Sequence, residues 1–323
     1  MAKEKKDMNV VALAGGVGGA KLAAGFTQIL PPASLTIIVN TGDDFEHLGI
    51  KICPDLDTVC YTLAGLSNPV TGWGRANETW SALETIAELG GPNWFRLGDR
   101  DIGLHLERTR RLRAGQSLSD LTKEFCQVFK IQPLVLPMSD DIVSTWVYTN
   151  EGELPFQEYF VHRQCHPHVK GFRFEGDQNA KPAPGVVAAI KQADLVVICP
   201  SNPWVSIGPI LAIPEIGEVI ERQLIIAVSP IIGGDAVRGP AAKMYSELGI
   251  QPSAEAVAKH YRRILSGFVF DQIDQEQEKA IQKMGIQTYV TDTLMNTNQD
   301  RGRLAKEVID FGERLIENGE EFR

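Results

Sequence analysis

The opening segment MNVVALAGGVGGAKLAAGF, residues 8–26, constrains the fold of this chain more than any other stretch. Its first half is a continuous apolar run without alternation, which suits a strand covered on both faces, as in a parallel sheet flanked by helices. Its second half passes through a glycine cluster into a helix-compatible stretch, AKLAAGFTQIL, that Pro31 and Pro32 terminate. A second β-branched run, LTIIVN at 35–40, completes a strand, helix, strand unit. Crossovers of this type are right-handed and put both strand C-termini at one edge of the sheet, so function is expected in the loops that follow the strands.

From 54 to 130 the period changes. PDLDTVCYTLAGL, ETWSALETIAEL, IGLHLERTRRLRAG and SLSDLTKEFCQVF each repeat apolar positions three and four residues apart. The pattern predicts a mainly helical insert domain over 56–130 within a Rossmann-like α/β core formed by 8–55 and 131–323. Strands are expected at 134–138, 144–149 and 158–162, where alternation suggests antiparallel pairing near a sheet edge, and at 195–199, 224–229, 268–271 and 288–290, which restore the parallel pattern. The fold class is therefore α/β with a mostly parallel sheet, and 323 residues, at roughly 150 per domain, accommodate a core plus an insert.

Charge narrows the function. With 41 acidic against 32 basic side chains and a net charge of -9, the chain lacks the basic face needed for sequence-independent binding to nucleic acid or an anionic membrane. No window approaches the roughly 18 apolar residues of a membrane span, and the opening MAKEKKD leads into too short an apolar run for a secretory signal. Five scattered cysteines (Cys53, Cys60, Cys126, Cys165 and Cys199) without a CxxC pair suggest reduced thiols in a cytoplasmic protein.

The first loop after a strand holds Gly15, Gly16, Gly18 and Gly19, four glycines in five residues, followed by Lys21. Backbone amides exposed there at a helix N-terminus suit a phosphate, whereas a tight turn chosen for sterics is the plainer alternative. Neither common fingerprint fits: the third glycine of GxGxxG falls on Lys21, and a Walker A loop needs Gly-Lys-Ser/Thr where this chain has Ala20-Lys21-Leu22. The second loop brings Asp43, Asp44, Asp55 and Asp57 within fifteen residues, a repulsive cluster suited to Mg²⁺. Asp43 and Asp57 are the pair read as ligands; Asp44 is equally compatible with a solvated position and Asp55 with a helix cap. Arg100, between Asp99 and Asp101, suits a phosphate clamp or an ion pair. Ser201 and Asn202, with 137–141 and 229–234, add short polar side chains and prolines at later strand ends. His162, His166 and His168 with Cys165 have soft-metal character but no second ligand pair, and no GxSxG or HExxH is present.

Read together, GGVGGAKLAAG, VNTGDDFEHLGIKICPDLDTVCYTLAG, GWGRANETW, RLGDRDIGLHLERT, LPMSDD, PSNPWVSIGPIL, VSPIIGG and TDTLM resemble, in order, the 2-phospho-L-lactate transferase family of coenzyme F-420 biosynthesis. The resemblance runs from about residue 10 to the C-terminal helix. It implies a Rossmann-like domain with a small helical domain, dependence on Mg²⁺, and a homodimer. It also implies transfer of a phospholactyl or phosphoenolpyruvyl group from a guanosine diphosphate adduct to the ribityl hydroxyl of the deazaflavin Fo, with release of GMP. Asp57 and Arg100 then correspond to residues that meet Fo, Asp43 and Asp57 to metal-binding positions, Asp43, Asp57 and Arg100 to catalytic ones, and the glycine loop and Lys21 with Ser201 and Asn202 to the nucleotide side. The competing class is a non-enzymatic, nucleotide-sugar-binding regulator of a related cell-shape branch, from which the PDLDT and LGDRD segments separate this chain.

Overall fold

A computed structural model describes residues 8–318; the charged opening MAKEKKD lies outside them. The first apolar run forms β1 (Val10–Ala14), the glycine loop opens α1 (Gly16–Phe26), and β2 (Leu35–Val39) returns parallel to β1. A hairpin of β3 (Phe45–His47) and β4 (Ile50–Ile52) precedes four helices: α2 (Pro54–Leu63), α3 (Ser81–Glu88), α4 (Asp99–Arg113) and α5 (Leu118–Val128). Then come β5 (Leu134–Pro137), the antiparallel trio β6 (Ser144–Thr149), β7 (Gly152–Pro155) and β8 (Val169–Glu175), and β9 (Leu195–Ile198). The chain closes with β10 (Ile225–Val228), a small ribbon of β11 (Ile231–Ile232) and β12 (Asp235–Ala236), β13 (Gly267–Asp271), β14 (Gln287–Thr291), and a C-terminal helix, Asn298–Glu317.

Seven strands form one parallel sheet in the order β14-β13-β10-β9-β1-β2-β5. Every residue of β1, β9, β10 and β13 is buried, which is why their sequences carry no polar alternation. The C-terminal helix and α2 pack on α1 on one face. Leu56, Val59 and Cys60 of α2 and Leu118 and Cys126 of α5 join Ala20, Leu22 and Leu304 in a single core, so the ends of the 56–130 stretch are continuous with the sheet layer. Among the described residues no single helix is long and apolar enough to cross a membrane; the bent pair at 203–212 and 214–220 has the composition because it supplies Ile207, Ile210, Ile213, Ile216 and Ile220 to the core.

Two strand expectations need correction. The segment 134–138 pairs parallel with β2 instead of antiparallel. The segment 158–162 is a π-helical turn, closed by the Arg163 amide donating to the Glu158 carbonyl at 2.9 Å. Its apparent alternation hides a helical pattern in which Phe156, Tyr159 and Phe160 share one side, the two phenylalanine rings stacking at 5.3 Å, while Glu158 bonds both His162 and Arg163. The antiparallel partners of 144–149 are β7 and β8.

Candidate active site

The strand order reverses direction between β1, which leads to β2 and β5, and β9, which leads to β10 and β13. In a doubly wound sheet the crevice beyond such a pair of strand ends is where ligands bind. Here the glycine loop follows β1 and Pro200-Ser201-Asn202 follows β9, and both border a cleft of about 670 Å³. Ser201 Oγ donates to the Gly15 carbonyl at 2.8 Å and accepts from the Gly15 amide at 3.1 Å, stitching the two strand ends together. Asn202 Oδ1 accepts from the Trp204 amide at 2.9 Å and the Val205 amide at 3.4 Å, capping the turn that follows.

The glycines answer to the protein as well as to any ligand. A Cβ on Gly15 would stand 2.4 Å from Asp55 Oδ2, one on Gly18 2.2 Å from the Pro200 carbonyl oxygen, and one on Gly19 2.4 Å from Ser201 Oγ. Gly16 adopts φ +61°, a left-handed conformation that favours glycine. The Gly16 amide donates to Asp55 Oδ1 at 2.7 Å. The amides that follow, at the N-terminus of α1, are those left to meet an anion. Lys21 lines the cleft with Nζ donating to the Met295 carbonyl at 2.8 Å, and burial, then Arg301 and Arg238, pull its pKa below 10.5. Gly19 lies behind the cleft surface.

Asp55, an ambiguous residue in the sequence, is drawn beside Asp43. Buried Asn40 donates from a single Nδ2 to Asp43 Oδ1 at 3.2 Å, Asp55 Oδ2 at 2.9 Å and the Val205 carbonyl at 3.2 Å, and Gln157 donates to Asp43 Oδ2 at 3.2 Å. Burial, then the charges of Asp55 and Asp44, pushes the Asp43 carboxyl well above the usual range. Burial likewise lifts Asp55 to about 6, against the bonds from Asn40 and Gly16. Among the described residues no basic side chain pairs with either, because Lys51 goes to Asp44 at 3.5 Å. Two adjoining buried carboxylates without a cation of their own fit Mg²⁺, which takes one or two carboxylates and completes its shell with water and phosphate. No three His, Cys, Asp or Glu side chains among the described residues converge on one metal position, so His162, His166, His168 and Cys165 do not form one either.

Asp57 lines the same cleft but is held by a residue that sequence reading passed over. Buried Arg108 grips it with both guanidinium nitrogens: Nη1 reaches Oδ2 at 3.0 Å while Nη2 takes Oδ1. The same Nη1 lies 3.2 Å from His105 Nδ1. A guanidinium only donates, so that nitrogen accepts and the ring proton sits on Nε2. Burial takes His105 down to about 4, keeping it neutral. Asp101, His105 and Arg108 fall at i, i+4 and i+7 on the buried face of α4. Arg100 lies on the opposite, exposed face, its amide donating to Glu78 at 2.8 Å, and it does not border the cleft. The arginines that do are Arg238 and Arg96, the latter with its guanidinium over the Trp80 ring at 4.5 Å.

The far wall is aromatic. Trp94, Phe95, Phe156 and Phe160 border the cleft; Trp94 stacks on His162 at 5.0 Å, and Phe45 meets Phe95 edge-on at 4.9 Å. The cavity thus has an acidic, glycine-lined part on the sheet and an aromatic part on the helical stretch and the 156–164 turn.

The sequence model of one family, 2-phospho-L-lactate transferase CofD, matches residues 10–311. The chain belongs to this family. Members similar to it include a phosphoenolpyruvate transferase of Streptomyces griseus subsp. griseus, 42% identical over 95% of this chain and 99% of that one. Another is a 2-phospho-L-lactate transferase of Methanosarcina mazei, 38% identical over 93% of this chain and 99% of that one. Among solved structures, a UPF0052 family protein of Bacillus halodurans superposes with a TM-score of 0.61 over 94% of this chain and 99% of that one at 16% identity, which speaks to the fold. As a CofD family member the chain is a transferase acting on small molecules.

Proposed function

We propose that this transferase moves a 2-phospholactyl or phosphoenolpyruvyl group from a guanosine diphosphate adduct to the ribityl hydroxyl of Fo, releasing GMP and forming (dehydro)F-420-0. A homodimeric, cytoplasmic enzyme is part of the same proposal. The observation that carries it is the two-sided cleft, with buried carboxylates and a helix N-terminus at one end and four aromatic side chains at the other. That shape suits one diphosphate and one flat ring held face to face, and transfer between them needs positioning more than covalent help.

In this reading the amides at the start of α1 orient the diphosphate, the aromatic wall holds the deazaflavin ring, and Asp57, fixed by Arg108, addresses the acceptor. Asp43 is kept as a metal ligand and Asp55 replaces Asp57 as its partner. A Mg²⁺ bound there would offset the negative charge of the donor. The direct test incubates the protein with Fo, Mg²⁺ and each guanosine adduct. A product heavier than Fo by the transferred group is expected, and no product from any adduct overturns the reading. In thermal unfolding, Fo and GDP with Mg²⁺ should stabilise, by about 2.7 kcal/mol at a hundredfold excess over Kd. Stabilisation by UDP-sugars alone would favour the regulatory class.

The Mg²⁺ assignment predicts a pH signature. Asp55 titrates at about 6 in the fold against 3.8 as a free side chain, so between those values the native state binds more protons than the unfolded one. Stability of the metal-free protein should therefore be greatest below pH 4 for this group and fall as pH rises through about 6. Saturating Mg²⁺ should flatten that fall. Identical Tm-against-pH curves with and without Mg²⁺ would exclude a cation at Asp43 and Asp55.

A further inference from the structure

Proton removal from the acceptor hydroxyl has so far no assigned residue. Asp43 and Asp55 share Asn40, and both oxygens of Asp57 lie on Arg108. Among the described residues one further carboxylate borders the cleft. Asp101, 8% exposed, stands in the first turn of α4 with Oδ1 accepting the Tyr61 hydroxyl at 2.6 Å. Its Oδ2 lies on the side of Gly74, another cleft residue, 3.7 Å from where a Cβ on that glycine would stand. The Asp101 amide is anchored by Glu78 Oε1 at 3.1 Å, which fixes the carboxylate from behind.

On the transfer reading above, we infer that Asp101 is the general base and that Tyr61 is the positioning residue that aims it. The acceptor O–H bond breaks, its proton passes to Asp101 Oδ2, and its electron pair forms the new O–P bond. The P–O bond to the nucleoside monophosphate breaks in the same step, and that phosphate leaves with the pair. The charged groups facing Asp101 are Asp57 from α2 and Arg75 and Glu78 from the loop before α3, and the neutral His105 lies one turn on along its own helix. Burial, then the charges of Asp57 and Glu78, raises Asp101 to about 6 against the Tyr61 bond and Arg75, which suits a base working near neutrality. Tyr61 itself is pushed up by burial and stays a donor.

Three proteins test this: wild type, Asp101→Asn and Tyr61→Phe, assayed for transfer across pH 5 to 9 and for GDP binding by calorimetry. Asp101→Asn keeps the shape and the acceptor for Tyr61, and should lower kcat by about 10²–10⁴ while GDP affinity stays within twofold. Tyr61→Phe removes the bond that favours the carboxylate, so the acidic limb of kcat/KM should move to higher pH with activity at pH 9 largely kept. A purely structural Tyr61 would lower activity equally at every pH. Active wild type with Asp101→Asn within threefold of its kcat, or with an unmoved limb in Tyr61→Phe, overturns the inference alone. A wild type that transfers from no adduct overturns the transfer reading itself.

Discussion

Asp57→Asn should lose transfer and, at the same time, about 3–5 kcal/mol of folding stability. The second effect follows from Arg108, which is 2% exposed and, among the described residues, has no other carboxylate bound to its guanidinium. Asparagine returns no charge to it, and an uncompensated buried cation is among the costliest single changes a core can suffer. Replacing both partners with apolar residues of similar size, as in Asp57→Leu with Arg108→Met, should recover most of that stability without recovering transfer, because the desolvation of both ions is then avoided. Urea unfolding of Asp57→Leu, Arg108→Met and the double variant measures the coupling. A loss below about 1 kcal/mol in Asp57→Asn would show that the pair is solvated and functionally free.

Gly18→Ala should be the most damaging change in the glycine loop. Its methyl would sit 2.2 Å from the Pro200 carbonyl oxygen, a backbone atom fixed at the end of β9, so the strand ends must part. Overpacking of this kind costs about 1–3 kcal/mol, and parting the strands also spoils the crevice, so GDP binding should weaken with stability. Gly103→Ala is the internal comparison, since it lies on the exposed face of α4 with nothing within 4 Å. There alanine should gain about 0.5–1 kcal/mol by helix propensity. Equal Tm values for the two variants would refute the packing account of the loop.

The sheet was readable from the sequence because its central strands are buried on both faces and carry uninterrupted apolar runs. The 158–162 turn was not, since five residues cannot distinguish a period of two from a short helical stripe until the stacking of Phe156 on Phe160 decides it. The candidate site divides in the same way. Loops after strands were located because topology puts them at one edge, whereas Asp55 and Arg108 acquire their partners, Asn40 and Asp57, through contacts 15 and 51 residues apart. A local signal for α4 did exist: the polar triplet Asp101, His105 and Arg108 at helical spacing on a face that amphipathicity makes the inner one. Attention to the charged neighbours in LGDRD favoured Arg100, although the helix turns that residue outward.

The reciprocal bonds between Ser201 and Gly15 bear on how the cleft works as well as on how it is held. Two loops joined by both a donor and an acceptor move as one body with the sheet, so the half of the site that would receive a diphosphate is set when the chain folds. Its ordering entropy is incurred once, in folding, and is not charged again at each encounter with a ligand. Adjustment to a bound molecule then falls to the opposite wall, whose aromatic side chains sit on loops and a single turn. The division makes the sheet edge a fixed reference against which the acceptor is brought into line.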